Sequence, residues 1–341
     1  MIGVRAAEFS ESPGPALRVP WRSVATRTIP SEDQILSWFR TLSNWGRWGA
    51  DDERGTLNLI TPAKRLQAAG LVREGILISC ARTIGWEPTA DSPMPARHFM
   101  LQSGEGEPAQ AVGRSGASDA FLLAPHGVSM THLDAPAHSH VRSDPSQPWT
   151  IYNGKPAKLI TTTQGATVGS IELAGGGIVS RGVLLDIPRV RNVPWLEGAD
   201  PVFPEDLDAA EAAQGVHVEP GDILFVRTGF PKRRAELGPK PTSAGVPALG
   251  AACLPWLRER DVAVVGADTG NDVMPAQYPS VGLPVHGVGM GAIGLWILDN
   301  PDYEELSATC ARLGRWEFQA VIGPLKLANS TGSPVNPLAL L

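Results

Sequence analysis

Four of the chain's seven histidines, His126, His132, His138 and His140, fall within fifteen residues. The segment reads His126-Gly-Val-Ser-Met-Thr-His132-Leu-Asp134-Ala-Pro-Ala-His138. On an extended strand alternate side chains share a face, so His132 and Asp134 should point the same way. An imidazole and a carboxylate in that relation suit a divalent ion such as zinc or manganese. Pro136 cannot donate to a sheet ladder, so the strand should stop there and His138 turn into the mouth of the site. An imidazole beside an ion, but not bound to it, can move protons for an attacking water. A single histidine here would more often serve a backbone carbonyl; three with an aspartate at this spacing favour the metal site. Three or four protein ligands are needed. His286, in Gly282-Leu-Pro-Val-His286 ahead of a glycine-rich run and then Trp296-Ile-Leu-Asp299, is the expected further donor.

These side chains need a scaffold. Residues 1–30 are rich in Pro, Ser and Arg without a period and read as a loose arm, suited to lie across a neighbouring subunit. Order is expected over 31–341, as one α/β domain with long loops. Ser31 and Gln34 mark a helix start, with Ile35, Leu36, Trp38, Phe39 and Leu42 on the buried side. A second helix should run from Thr61-Pro62 to near Gly75. Strands are expected at Ile76–Cys80, Gly182–Ile187, Ile223–Thr228 and Val262–Gly266, and helices near Pro204–Gln214 and Pro247–Arg260. Gly85–Ser118 reads as one long loop, and loops of that length are usually functional or disordered.

Other residues invite roles. The segment Asn44–Asn58 carries two tryptophans and five charged side chains. Trp45 and Trp48 would either wall a substrate pocket or plug the first helix in place. Tyr152 is a candidate substrate-side hydroxyl. Asp268, just past a strand end, would orient a ligand histidine or else stabilise a turn. A dinucleotide loop needs a preceding strand and a later acidic residue in a βαβ unit, whereas the run Gly287–Gly294 follows Pro-Val-His, so it is not one; it suits tight packing around a ligand.

With 29 basic and 35 acidic residues, a net charge of −6 argues against nucleic acid or an anionic membrane as partner. No run approaches the roughly 18 apolar residues of a membrane span, and the N-terminus lacks a secretory pattern. Cys80, Cys253 and Cys310 are widely spaced, as expected of reduced thiols in a cytoplasmic protein.

The histidine segment resembles the cyclase family of metal-dependent hydrolases, which includes bacterial kynurenine formamidase and isatin hydrolase. Thr131, His132, Asp134, Pro136 and His138 match its signature H-x-G-T-H-x-D-x-P-x-H. Val128 stands where the first histidine belongs, and Met130 where the glycine belongs. The likeness is closest to the longer members, and extends to 44–58, Tyr152-Asn-Gly154, Gly266-Ala-Asp-Thr269, Leu283-Pro-Val-His286 and Thr331–Pro337. Longer members also tend to carry a His-Gly pair where His126-Gly127 stands.

This resemblance implies a swivelling β/β/α fold, a homo-oligomer (dimer or tetramer), and hydrolysis of amide or lactone bonds. By position His132, Asp134 and His286 would be ligands, Asp299 would stand near the family's glutamate ligand, and His138 would be the acid/base. With Val128 unable to bind metal, His126 would be recruited instead and one zinc or manganese ion per subunit is expected. The expected activity is hydrolysis of a small cyclic amide, N-formyl amide or lactone. The alternatives are a lactone hydrolase of aromatic degradation and a catalytically silent binding protein that has lost its metal.

Overall fold

The computed structural model describes residues 27–106 and 112–341. Most of the expected arm therefore lies outside the described residues; at its end, Arg27 donates to Asp206 Oδ1 at 2.8 Å. No helix among the described residues is long and apolar enough to cross a membrane.

One curled nine-stranded sheet organises a mixed α/β fold. Its strands are β1 (Leu77–Ser79), β2 (His132–Asp134), β3 (Ile178–Asp186), β4 (Ile223–Arg227), β5 (Val264–Ala267), β6 (Trp296–Asp299), β7 (Glu317–Ile322), β8 (Gly332–Pro334) and β9 (Leu338–Leu340). Their spatial order is β1-β9-β7-β3-β4-β5-β6-β2-β8. The central β3, β4, β5 and β6 run parallel, and the strands on both flanks are antiparallel. Parallel strands are covered on both faces, which is why Ile223–Arg227 and Val264–Ala267 are buried throughout and read as nearly continuous apolar runs.

Alternation along each strand feeds two cores. Val183, Leu185, Leu224, Val226, Val265 and Ile297 face one; Leu184, Phe225, Val264, Leu298 and Leu133 face the other. Each such side chain is worth roughly 1.5–3 kcal/mol when fully buried. His132 and Asp134 flank Leu133, so they must emerge on the opposite face from it, the face that packs the glycine-rich segment.

That segment, Val285–Ile293, is a helix of π type. Its glycines permit close approach: a Cβ at Gly291 would lie 2.6 Å from Val141, and one at Gly294 would lie 2.5 Å from the Tyr152 ring. The expected tight packing is met here by side chains of the protein itself. The helix Glu32–Thr41 forms as expected, with Ser31 Oγ accepting from Gln34 N at 3.2 Å and Ile35 and Trp38 buried.

Boundaries and two segments differ from expectation. The helix begun by Pro62 ends at Ala69, capped at Gly70. The helix expected from Pro247 starts at Cys253, because Ala248–Leu249 pairs instead with Pro201–Val202. Gly85–Ser118 is not wholly loop: Arg97–Gln102 pairs antiparallel with Ser118–Leu122. All six residues of that first strand are exposed, so no burial alternation marks it in the sequence.

Candidate metal centre

β2 pairs with β6 in a register that sets His132 opposite Asp299 and Asp134 opposite Ile297. The sheet thereby brings an imidazole and two carboxylates to one place. His132 Nε2 lies 3.5 Å from Asp134 Oδ1 and 3.7 Å from Asp299 Oδ2. His286, at the start of the π-type helix, closes the group from above the sheet. Its Nε2 is 3.5 Å from Asp134 Oδ2 and 3.5 Å from Asp299 Oδ2. These four side chains are buried, Asp134 completely.

β2 ends as Pro136 requires, and Pro136–His138 turns in a single 3₁₀ turn. His138 Nε2 comes within 3.9 Å of Asp134 Oδ2. Its ring stacks on His126 at 3.8 Å between centroids and 8° between planes. Both rings are partly exposed and form the mouth above the buried floor. His126 donates from Nδ1 to Asp134 Oδ1 at 2.8 Å, and its Nε2 meets Thr331 Oγ1 at 2.8 Å. Gly127, with φ of 109°, makes the turn a side chain would resist. Gly332 leaves the room: a Cβ there would sit 2.7 Å from His126 Cε1.

The two floor imidazoles are oriented from behind. His132 donates from Nδ1 to the Met130 carbonyl at 3.0 Å, and His286 donates from Nδ1 to Asp272 Oδ2 at 2.7 Å. Asp272 is itself fixed by the backbone N–H groups of Val285 and His286, at 2.8 and 3.0 Å. Asn271 donates to Asp299 Oδ1 at 2.6 Å. In this arrangement the Nε2 atoms of both histidines and the free oxygens of both aspartates converge.

The charges follow. Burial alone would raise the Asp134 carboxyl, but the hydrogen bond from His126 and the nearby rings of His286, His132 and His138 hold it well below the usual range. Burial would lower His286; Asp299, Asp134 and Asp272 together push it well above. Burial brings His138 down to about 4, so near neutral pH it is an uncharged base.

With this geometry in view, comparisons with known proteins place the chain. The family model described as "Putative cyclase" matches residues 56–271, more than half of the sequence. A solved structure of a novel cyclase is 32% identical, with 89% of this chain and 99% of that chain covered and a TM-score of 0.78. The chain belongs to the cyclase family. More distant likeness in fold extends to isatin hydrolases. The one from Ralstonia solanacearum is 23% identical, covering 80% and 95% at a TM-score of 0.52. One bound to the product analogue thioisatinate is 17% identical, covering 82% and 99% at a TM-score of 0.55. No curated protein matches in sequence.

The residues of this cyclase-family chain fit a metal ion. Asp134 Oδ2 is buried with no hydrogen-bond donor within reach, an arrangement that costs about 1–3 kcal/mol or more unless something cationic meets it. His126, His132 and Asp134 could converge on one ion, as could Asp134, His138 and His286. Histidines whose other nitrogen is tied to a carbonyl or carboxylate are the usual metal ligands.

The sequence thus anticipated that His126, His132, Asp134, His138, His286 and Asp299 come together, and they do. Two expectations need correction. The carboxylate that orients a cluster histidine is Asp272, not Asp268. Asp268 instead accepts from Thr228 N, Thr228 Oγ1 and Gly229 N at 2.6 to 2.9 Å, and burial pushes its carboxyl up to about 7. Tyr152 is buried with its hydroxyl on Asp52 Oδ2 at 3.1 Å, so it anchors the Asn44–Asn58 segment rather than facing a substrate. Trp45 donates to the Gly291 carbonyl at 2.8 Å and lies against Gly154, and Trp48 stacks with Arg47 at 4.8 Å. Trp45 thus ties its segment to the π-type helix, and Trp48 stacks within its own segment.

Asp272, Asn271, Thr331 and Gly332 escaped the sequence reading as site residues. For Asp272 a signal existed, a polar run after the end of β5 in which the wrong aspartate was singled out. An open groove of about 770 Å³ lies beside His140, Trp149 and Lys158. It lacks the converging carboxylates and imidazoles, and the chemistry belongs to the cluster.

Proposed function

We propose that the chain is a metal-dependent hydrolase of small cyclic amides, N-formyl amides or lactones. The observation that carries this reading is Asp134 Oδ2, buried without a donor and facing the Nε2 atoms of His286 and His138 at 3.5 and 3.9 Å. His132, Asp134, His286 and Asp299 would hold one zinc or manganese ion, and His126 would join them by giving up its bond to Asp134. When bound, such an ion polarises a carbonyl oxygen and lowers the pKa of water.

The chain's own residues divide the remaining work. Met130 and Asp272 fix the two floor imidazoles in the orientation that frees Nε2. Asn271 holds Asp299 so that one carboxylate oxygen points inward. His138, uncharged and at the mouth, accepts a proton at Nε2 from the attacking water and returns it to the leaving nitrogen or oxygen. The fold shared with isatin hydrolases supports a cyclic amide as one substrate class.

The test is to load purified protein with zinc or manganese and assay a cyclic aryl amide, an N-formyl arylamine and an aryl lactone. Hydrolysis of one class, abolished by chelation and restored by the ion, is the expected result. Full activity after complete metal removal would overturn the reading.

A further inference from the structure

A narrow crevice adjoins the cluster, lined by Arg82, Asp91, Val128, Lys240, Gly270 and Asn300 among others. Its free volume of about 20 Å³ admits one water-sized group, not a whole substrate. Gly270 connects it to the cluster, since a Cβ there would lie 3.9 Å from Asp299 Oδ2. Asn300 connects it on the other side, donating to the Gly127 carbonyl at 2.7 Å beside His126.

Arg82 enters this crevice with most of its donors unused. Its backbone N–H goes to Thr131 Oγ1 at 2.9 Å and one guanidinium nitrogen to the Val128 carbonyl at 3.2 Å. The nearest carboxylate oxygen, Asp91 Oδ2, is 3.7 Å away, too far for a hydrogen bond. Asp91 is already engaged by Arg234 at 2.5 and 3.2 Å and by Thr89 at 2.7 Å. Lys240 is paired with Glu197 at 3.0 Å. Arg82, only 14% exposed, is therefore the lining cation without a hydrogen-bonded carboxylate, and it has donors to spare. A guanidinium stays charged and presents a planar fork that matches a carboxylate. A mostly buried cation without a hydrogen-bonded counter-ion is costly, and an arriving anion offsets that cost.

We propose that Arg82 anchors a carboxylate carried by the substrate apart from the bond that is hydrolysed, so that the substrates are small anionic amides or lactones. This deepens the hydrolase reading and rests on it. Val128 takes part: where the family signature has a histidine, this chain has an apolar wall whose carbonyl holds Arg82 in place.

Benzoate is a suitable probe, with benzamide as its neutral counterpart. Calorimetric binding should be measured on wild type, Arg82→Met, Arg82→Lys and Asp134→Ala, with bound metal determined for each. Wild type should bind benzoate about tenfold or more tighter than benzamide. Arg82→Met should lose that preference with its metal unchanged, Arg82→Lys should keep part of it, and Asp134→Ala, without its metal, should still prefer benzoate. Equal binding of benzoate and benzamide by wild type overturns the proposal, and that comparison stands even if Arg82→Met fails to fold. Benzoate binding that survives Arg82→Met but vanishes with the metal in Asp134→Ala also overturns it. A wild type that binds benzoate through Arg82 yet holds no metal would instead remove the hydrolase reading and leave the anion site.

Discussion

His132 and Asp299 stand directly opposite each other on β2 and β6, with Nε2 3.7 Å from Oδ2. Two short strands that are distant in the chain thus build half of the cluster by register alone. A slip of one residue would turn His132 onto the opposite core, where Leu133 now packs. The neighbouring pair, Leu298 opposite Leu133, resists that slip, because it would carry two buried leucines toward the charged floor.

His286 depends on Asp272 in a different way, through its ring orientation. Replacing Asp272 with Asn should leave the fold intact, since the amide oxygen can still accept from one backbone N–H. It should weaken metal binding about 10–100-fold. Titration of the variant with zinc in competition with a chelator measures this, and unchanged affinity would count against the role given to Asp272.

Gly332→Ala places a methyl 2.7 Å from His126 Cε1 and 2.8 Å from the Leu133 carbonyl. Neither neighbour can retreat freely, one being stacked on His138 and the other in the sheet. A stability loss of about 1–3 kcal/mol is expected from overpacking, together with weaker metal binding. Thermal unfolding with and without added metal separates the two effects.

His138→Ala addresses proton movement. If His138 moves protons and holds no metal, the variant keeps its ion while turnover falls about 10²–10⁴-fold. The same geometry lets His138 converge with Asp134 and His286 on an ion. Loss of metal together with activity would show that it is a ligand.

The thiols should be silent. Cys80, Cys253 and Cys310 are all buried, and burial raises the pKa of each, that of Cys310 to about 12. Scarce thiolate and no access mean that a disulfide reagent should label none of the three in native protein and all three in denaturant. Rapid labelling under native conditions would contradict the packing around them.

The floor of the site was legible where chemistry and strand period coincide. His132 and Asp134 declare a shared face by their spacing, and Pro136 declares the strand end that turns His138 inward. The resemblance supplied Asp299, which no local pattern marks. What could not be read was pairing between distant segments. Asp268 and Asp272 lie on the same stretch after β5, and only the backbone path decides which reaches His286. Tyr152 and Trp45 looked free for a substrate because Asp52 and Gly291, their partners, are remote in sequence. The sequence reading does not mark β7, although Phe318, Ala320 and Ile322 alternate inward; Glu317 and Gln319 at its start mask a strand at the flank of the sheet.

The central claim is that buried Asp134 is the hub of a metal site. The most direct test is bound metal per subunit, by elemental analysis of protein purified with zinc or manganese present, for wild type and Asp134→Ala. Removing the carboxylate also removes the orphaned oxygen, so the variant can fold while losing the hub. The account predicts about one ion per subunit in wild type and none retained by a folded Asp134→Ala. Stoichiometric metal in that folded variant, or a wild type that binds no divalent ion, would contradict it.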